Sequence, residues 1–555
     1  MLVKRKSEYP LYIAFIWHMH QPWYFNSDKD IAIFPWVRTH SIKDYLDMVS
    51  ILNNYPNIKQ TFNLVPSLVE QIKLISEKKV SDKYLNISLK PASELSSREK
   101  EFIIKWMCPP SNIKRIAHYE PYRKFLYKVE DLKRDLRNSL LVIDKLTEQD
   151  YRDLQLWFDL SWFDPIYIEN NQFLGGLVEK SNLYNEDEKN KLYNEQLKII
   201  KRIIPKYKKM EEEKRIELIS SPYYHPILPL LIDSKVAIEA NQNCKAPDNH
   251  FSFLGDAKAQ IEMGLDFHKS IFGLKPAGVW SPEMAISNES LKILAESGIF
   301  WTIADQGILN KSIDVDISLG NDRVVRNPHI LYKPYVYYND NYSINLIFRD
   351  RILSDLIGFT YNNMSWEDAV NDFIDRLERI YFSVSSHNKP YLVTIALDGE
   401  NCWEYYEKDG VEFLSNLYQE LNERSQFKLV CISDYLKKHP STDKLYLVKS
   451  GSWIRGDFSN WIGGECQNQA WDFLYQTRID VEKAISSGIE RKKRDRILKE
   501  IYITEGSDWF WWLGDNEKSG MDELWEYRFR EHLHKIYEIL EISPPNILNS
   551  PINIT

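Results

Sequence analysis

The sequence predicts an α/β fold in which strand and helix units build a parallel sheet, with a helical insertion and a C-terminal helical domain. Short apolar runs rich in β-branched and aromatic residues end in polar clusters, and helical patterns alternate with them. Two long charged segments interrupt this alternation. At 555 residues, the chain is long enough for one large barrel or several domains.

The alternating units can be followed along the chain. Residues 11–17 (LYIAFIW) are typical of a strand buried on both faces. A helical pattern over 256–272 precedes a short strand at 276–280. The motif Ser365-Trp-Glu-Asp368 resembles a capping box that opens a helix, and residues 391–397 (YLVTIAL) indicate another buried strand.

Further patterns complete the series. Residues 291–297 and 410–423 predict helices, and residues 300–303 and 428–432 predict strands. This spacing is typical of βα units in a parallel sheet.

Two segments have a different character. Residues of about 70–210 are helical and heavily charged, which predicts a helical insertion in the barrel, and residues from about 453 to 542 are again helical. We therefore expect a barrel domain at 8–440, a helical domain at 441–542 and an irregular, proline-containing tail at 543–555.

Composition excludes several classes of protein. The chain has 71 basic and 80 acidic residues, a net charge of −9, which argues against nucleic acid as a partner. Aromatic residues make up 13% of the chain. Such a density either thickens the core or lines sites that stack flat, partly apolar ligands such as sugar rings.

Cysteine usage and hydropathy indicate a compartment. The five cysteines are spread along the chain without a C-x-x-C pair, so a disulfide framework or a structural zinc site is not expected. The N-terminus lacks the pattern of a signal peptide and no run approaches 18 apolar residues, so we expect a cytoplasmic protein without membrane contact. The oligomeric state is left open.

Two carboxylates occupy positions suited to catalysis. Glu283 follows Trp280-Ser-Pro, and Asp398 opens the sequence Asp-Gly-Glu-Asn-Cys-Trp403, so each lies after a predicted strand and near a tryptophan. Catalytic groups of parallel barrels lie at the carboxyl ends of strands, and two such acids suit glycoside hydrolysis. The alternative is that each acid caps the following helix.

The His18-x-His20 pair follows the first strand and has three interpretations. The two side chains could ligate a metal with a carboxylate, hydrogen-bond sugar hydroxyls, or be satisfied core histidines. Spacing alone favours the core interpretation. In the run Trp509-Phe-Trp-Trp512, the tryptophans cannot all face one side of a helix, so at least one is expected to be half-exposed or to line a cleft.

An ordered series of motifs carries a resemblance to glycoside hydrolase family 57, in its α-amylase and amylopullulanase branch. The series covers most of the chain: His20-Gln-Pro22, 35–40 (PWVRTH) with 43–45 (KDY), 61–67 (TFNLVPS), 217–226 (ELISSPYYHP), 278–283 (GVWSPE), 348–350 (FRD) with 354–359 (SDLIGF), 396–401 (ALDGEN), 453–463, and 505–512 (EGSDWFWW). One departure is that Trp280-Ser-Pro-Glu283-Met-Ala stands where the branch often has Trp-Pro-Ser-Glu-Gly-Ser.

The resemblance implies a (β/α)7 barrel followed by a helical domain that closes over the cleft. It implies that Glu283 is the nucleophile and Asp398 the acid/base of a retaining enzyme, with Asp398 holding its proton to the higher pH. We expect a further set of side chains to contact the substrate: His18, His20, His40, Glu217, His225, Trp280, Trp403, Asp457, Trp461 and Asp508.

The sequence therefore predicts a retaining glycosidase whose partner is an α-glucan or maltooligosaccharide, with neither a cofactor nor a metal. A 4-α-glucanotransferase or branching enzyme with the same two carboxylates is the first alternative. A metal-dependent glycosidase or deacetylase using His18 and His20, and a glycan-binding protein without activity, are the others.

Overall fold

The structure, a computed structural model, describes residues 8–26, 29–136, 142–339, 341–515 and 518–552. Its centre is a set of seven strands, numbered in chain order as barrel strands. They are β1 Leu11–Met19, β2 Gln60–Leu64, β3 Ile216–Ile219, β4 Gly278–Val279, β5 Trp301–Asp305, β6 Tyr342–Arg349 and β7 Leu392–Asp398.

These strands follow one another around a ring in chain order. Strands β7, β1, β2 and β3 form one parallel sheet, and β4, β5 and β6 form parallel pairs in a second. The sheets meet at a parallel bridge between Ser220 and Val279. On the opposite side of the ring, β6 meets β7: Asp350 N, directly after β6, donates to Thr394 O of β7 at 2.7 Å. The fold is the (β/α)7 barrel that the sequence motifs imply.

Shorter strands extend this frame. Phe427–Leu429 pairs with the first residues of β1, and Tyr335–Asn339 runs antiparallel to β6 with Lys444–Leu445 beside it. A separate three-stranded sheet lies outside the barrel and consists of Phe25–Asn26, Lys29–Ala32 and Ser81–Asp82.

Side-chain alternation along the strands separates the barrel interior from its outer layer. On β1, Tyr12, Ala14 and Ile16 belong to a compact inner cluster, whereas Phe15 and Trp17 belong to the large cluster shared with the helices. Alternate residues of a strand face opposite sides. The same alternation directs His18 at the end of β1 into the mouth of the barrel.

Helices surround the ring and build both accessory regions. In the barrel they are Trp36–Lys43, Asp47–Ser50, Pro66–Ser76, Leu228–Ile232, Val236–Ala240, Leu254–Phe272, Asn288–Glu296, Gln306–Ile313, Pro328–Leu331, Arg351–Asp355, Trp366–Val384, Val411–Glu423 and Ile432–Lys438. The segment between β2 and β3 adds Lys83–Leu89, Ser97–Trp106, Lys114–Ala117, Glu120–Leu136, Glu148–Leu160, Pro165–Glu169, Gln172–Lys180 and Glu186–Glu212. The C-terminal helices are Glu465–Ser486, Arg491–Thr504, Ser507–Trp512 and Asp522–Leu540.

Two local expectations differ from the structure. The segment 453–464 forms turns rather than helix, because Arg455, Gly456 and Gly463 have positive φ angles of 55°, 70° and 111°. In the tail, one 3-10 turn at Asn546–Asn549 buries Leu548, and Ile552 N donates to Glu526 Oε1 at 2.9 Å. The tail, which was expected to be an irregular extension, therefore packs against the last helix.

No helix among these described ranges is long and apolar enough to cross a lipid bilayer.

A buried ion network holds the insertion against the barrel. Arg38 is almost completely buried; its Nε donates to Asp82 Oδ2 at 2.6 Å and its Nη1 to Asp159 Oδ1 at 2.5 Å. The same Nη1 donates to Gln196 Oε1 at 3.1 Å. The Arg38 guanidinium therefore neutralises two carboxylates and binds one amide, and these three side chains come from separate parts of the insertion segment.

We expect Arg38→Ala to lower the free energy of unfolding by about 3–5 kcal/mol, because it leaves two buried carboxylates without their cation. Chemical denaturation followed by circular dichroism measures the change. Lys79→Ala is the control, since Lys79 pairs with Glu77 on the exposed surface, and it should have a much smaller effect. Equal effects of the two substitutions would contradict this role of Arg38.

Candidate active site

A cleft of about 990 Å³ lies at the carboxyl ends of the barrel strands. We call it the main cleft. Its wall combines residues of the strand ends with residues of the C-terminal segment, among them His18, His20, Glu283, Arg349, Asp398, Glu400, Trp453, Asp508, Trp511 and Trp512. The two carboxylates selected from the sequence therefore line one cavity, at the end of the barrel where catalytic groups are expected.

Glu283 is held in an uncommon backbone conformation. It has a φ of 58° and the next residue, Met284, has a φ of 48°, both in the left-handed region that favours glycine. Such strain persists only where surrounding contacts fix the chain. Trp453 N donates to Glu283 O at 3.1 Å, and Ser281 Oγ donates to Ala285 O at 2.5 Å.

Two donors from the C-terminal segment bind the Glu283 carboxylate. Trp453 Nε1 donates to Oε2 and Ser507 Oγ donates to Oε1, each at 3.0 Å. Burial raises the pKa of Glu283 to about 7, with further contributions from the negative charges of Asp508 and Asp398. The proximity of His20 and the Ser507 hydrogen bond oppose this rise.

Asp398 ends β7 directly beside His18 of β1. Its Oδ2 accepts a hydrogen bond from Asn401 Nδ2 at 3.1 Å. Burial raises its pKa, and Asn401, His20 and Arg349 act in the opposite direction. Asp398 is therefore a carboxyl whose neutral form is favoured relative to the same group in water, which suits a proton donor.

Glu400 adds a third carboxyl to the main cleft. It is buried, and its Oε1 accepts hydrogen bonds from His20 N and Gln21 Nε2, each at 3.2 Å. Burial and the negative charge of Asp398 raise its pKa well above the usual range. Glu400 thereby fixes the backbone of the His20-Gln-Pro motif.

Three histidines form a stack beside the carboxylates. The rings of His20 and His225 are 3.8 Å apart and inclined by 18°. His18 lies against Trp280 at 4.5 Å with an inclination of 10°. Ser507 connects this stack with Glu283, because its Oγ also lies 3.0 Å from His225 Nδ1.

The histidines carry different protonation tendencies. His20 Nε2 lies 2.9 Å from Asp508 Oδ2, and although burial lowers its pKa, the Asp508 carboxylate raises it above the ordinary value overall. Burial and the nearby His20 lower the pKa of both His18 and His225 well below the ordinary value. The stack therefore favours a single cation, at His20, flanked by neutral rings.

Two histidines of the stack and one carboxylate form a group that could hold a metal ion. Atoms of His20, His225 and Asp508 lie within 4.8 Å of one another, the only such three-ligand group found among the described residues. A metal binds an imidazole in the plane of the ring. The rings of His20 and His225 are nearly parallel and their centres are 3.8 Å apart, so an ion in the plane of one ring lies outside the plane of the other.

Several residues selected from the sequence support the main cleft from behind. Trp280 and Trp403 are fully buried, and Trp403 Nε1 donates to Gly399 O at 2.9 Å, so neither presents a face to a ligand. Trp461 is also fully buried and packs against Trp511 at 5.8 Å. These three tryptophans position the cleft lining and do not form it.

Two polar residues, His40 and Asp457, lie away from the cleft lining. His40 is buried with Nδ1 at 2.6 Å from Asp44 Oδ2. Asp457 Oδ2 accepts from Asn241 Nδ2 at 2.9 Å, between the helical domain and the barrel. Each has a hydrogen-bond partner within the protein.

Glu217, which was expected to contact the substrate, is the second residue of β3 and faces the lower part of the barrel. Its oxygens accept from Ser433 N and Trp301 Nε1, each at 3.1 Å, and from Ser433 Oγ. Ser433 lies in the first turn of the helix Ile432–Lys438. Glu217 thus caps the helix beneath the barrel.

Other lining residues were missed in the sequence. Phe359 and Tyr405 are 76% and 54% exposed and line the main cleft, and Trp453 binds Glu283. Exposure of a large aromatic side chain is the signal that identifies Phe359 and Tyr405, and exposure is not visible in sequence. The expectation for the run 509–512 is confirmed, since Trp511 and Trp512 are half-buried in the cleft whereas Trp509 and Phe510 are buried.

A deep, aromatic-lined cleft with convergent carboxylates at the mouth of a (β/α)7 barrel is typical of an enzyme that acts on carbohydrates. The chain belongs to glycosyl hydrolase family 57, whose family model matches residues 14–448. The family expected from the motifs is thereby confirmed.

Solved structures share this fold. The chain is similar to a family 57 branching enzyme from Thermococcus kodakaraensis, with 17% identity, a TM-score of 0.62, and coverage of 95% of this chain and 90% of that one. An α-amylase from Thermotoga maritima has 12% identity and a TM-score of 0.57, with coverage of 96% of this chain and 93% of that one. A 4-alpha-glucanotransferase from Thermococcus litoralis has 15% identity and a TM-score of 0.53, with coverage of 95% of this chain and 60% of that one. No curated protein matches the sequence.

The substitution Asp508→Asn tests the charge arrangement of the stack. We expect the pKa of His20 to fall, because burial continues to lower it while the largest opposing contribution, from the Asp508 carboxylate, is lost and only the more weakly acting Glu283 and Asp398 remain. The pKa of Glu283 should fall too, since a neighbouring negative charge is lost. Carbon-detected titration of labelled histidines measures the change at His20.

His268 is the internal control for this titration. Burial alone lowers its pKa to about 4, so Asp508→Asn should leave it unchanged. A His20 titration that is identical in both proteins would show that Asp508 does not stabilise a cation in the stack.

Proposed function

We propose that the chain is a retaining glycoside hydrolase acting on α-glucans, with Glu283 as nucleophile and Asp398 as acid/base. The observation that carries this proposal is that both carboxylates line one aromatic cleft, where Trp453 and Ser507 each donate a hydrogen bond at 3.0 Å to Glu283. Family membership supports the reaction class, and the strand-end position of both acids supports their roles.

The first half of the reaction forms a covalent intermediate. Protonated Asp398 gives its proton to the glycosidic oxygen, and the bond between that oxygen and the anomeric carbon breaks. Glu283 attacks the anomeric carbon from the opposite face and forms a glycosyl ester. The hydrogen bonds from Trp453 and Ser507 stabilise the anionic form of Glu283, which is the form that attacks.

The second half releases the sugar. Asp398, now ionised, removes a proton from a water molecule, which attacks the anomeric carbon and returns Glu283 to its carboxylate form. With a pKa of about 7 for Glu283 in the unliganded chain, the nucleophile is increasingly protonated as the pH falls below 7. The rate of glycosylation should therefore decline on the acidic side.

Substrate contacts divide between polar and aromatic groups. We assign hydrogen bonding of sugar hydroxyls at the scissile bond to His18, His20 and Asp508, which line the main cleft. Stacking of sugar rings belongs to the half-exposed aromatic residues of the wall, Trp453, Trp511 and Trp512, together with Phe359 and Tyr405.

Glycosyl transfer by the same carboxylates is the second candidate. The five aromatic residues on the cleft wall favour it, because they provide apolar platforms on which an acceptor sugar can compete with water. The partition between water and sugar acceptor distinguishes a hydrolase from a transferase or branching enzyme.

We expect Glu283→Gln and Asp398→Asn each to lower turnover of maltoheptaose by about a thousandfold or more, because each removes a group that forms or breaks bonds. The matched controls are Glu289→Gln and Asp375→Asn on exposed helix surfaces, which should retain activity. Circular dichroism verifies the fold of every variant. Wild-type turnover in Glu283→Gln would disprove the nucleophile assignment.

Chromatography of the maltoheptaose products in the same assay identifies the reaction. Only shorter sugars indicate hydrolysis, and longer sugars indicate transfer.

A further inference from the structure

A second cleft, of about 680 Å³, lies between the insertion and the helical domain. One wall is the helix Ser97–Trp106, and the other is the start of the last helix, around Met521 and Leu524. None of its lining residues belongs to the main cleft.

Aromatic side chains at helical spacing line one wall of the second cleft. Phe102 and Trp106 are separated by one turn of the helix and are half-exposed, whereas Ile103 and Ile104 between them are buried. Lys83 Nζ lies 4.3 Å from the centre of the Phe102 ring, and Lys105 Nζ lies 4.7 Å from a Trp106 ring. In the part of the chain that the structure describes, neither lysine has a carboxylate partner.

A row of packed aromatic rings lies between the two clefts. Trp512 of the main cleft stacks on Trp525 at 5.7 Å with an inclination of 23°. Trp525 in turn contacts Phe34 at 5.3 Å, and Phe34 lines the second cleft. Three consecutive rings therefore separate the two cavities.

We propose that the second cleft binds a remote part of an α-glucan chain whose other part occupies the main cleft. This inference rests on the function proposed above. The flat ring faces suit the apolar faces of glucose units, and the lysines with Asp522 and Glu523 supply donors and acceptors for hydroxyl groups. The lining has four cations, Lys83, Lys105, Lys518 and Arg528, but Asp522 and Glu523 lie among them and would repel a polyanion, so we favour a neutral polysaccharide.

The test compares long and short substrates in the full chain. Trp106→Ala should lower binding to amylopectin, measured as retardation in affinity electrophoresis, by about fivefold, the effect of one lost stacking contact. It should leave kcat/KM on maltotriose unchanged. Trp366→Ala, which removes another half-exposed helical tryptophan outside both clefts, is the control and should retain full binding.

Because Trp106 also packs against the core, Trp106→Leu is made in parallel to preserve apolar packing while removing the flat ring. Unchanged amylopectin retardation in both folded variants would overturn the proposal. The double variant Lys83→Gln/Lys105→Gln is compared with Trp106→Leu. Loss of amylopectin binding in the double variant but not in Trp106→Leu would also overturn the proposal and assign the cleft to an anionic ligand. If the wild-type chain neither binds nor cleaves any α-glucan, the proposed function fails first.

Discussion

The candidate active site depends on contacts that the C-terminal segment makes with Glu283. The barrel alone places this carboxylate at a strand end, on a backbone with a φ of 58°. Trp453 holds it through both a backbone and a side-chain hydrogen bond, and Ser507 binds its other oxygen. The barrel and the helical domain therefore form one candidate active site, in which neither part fixes Glu283 without the other.

Charge balance in the cleft follows from this arrangement. Glu283, Asp398, Glu400 and Asp508 line the same cleft, and burial raises the pKa of each of the first three. His20 partly compensates for these charges, because Asp508 stabilises its cationic form. Ser507 links Glu283 to the neutral ring of His225, so the histidine stack and Glu283 form one connected network.

Much of the fold was predictable because buried parallel strands have a simple pattern. The expected strands at 11–17 and 391–397 correspond to β1 and β7, and the expected helix after Ser365 is present from Trp366 to Val384. Strand β2 was not recognised, because Gln60 and Asn63 are polar. Gln60 accepts a hydrogen bond from Trp17 Nε1, and Asn63 Nδ2 lies beside His18 Nδ1, so the partners that make their burial possible are distant in sequence.

The candidate active site was predictable in part, because the pattern of buried parallel strands also locates the strand ends. The two carboxylates follow strands, so their meeting in one cleft follows from the geometry of a parallel barrel. Trp280, Trp403 and Trp461 were expected to contact substrate because they lie near the motifs, but residue type does not reveal which face of a tryptophan is covered. The sequence also did not predict that the pKa of Glu283 would rise to about 7, because burial in the folded chain is the main cause and a further contribution comes from Asp508, 225 residues further along the chain.

The most direct test of the account is to trap the covalent intermediate with an activated, fluorinated maltosyl donor and locate the sugar by peptide mass spectrometry. The account predicts one maltosyl group on the peptide that contains Glu283, and no labelled peptide in Glu283→Gln. A label on another carboxylate, or turnover that releases the inverted anomer without any labelled peptide, would contradict it.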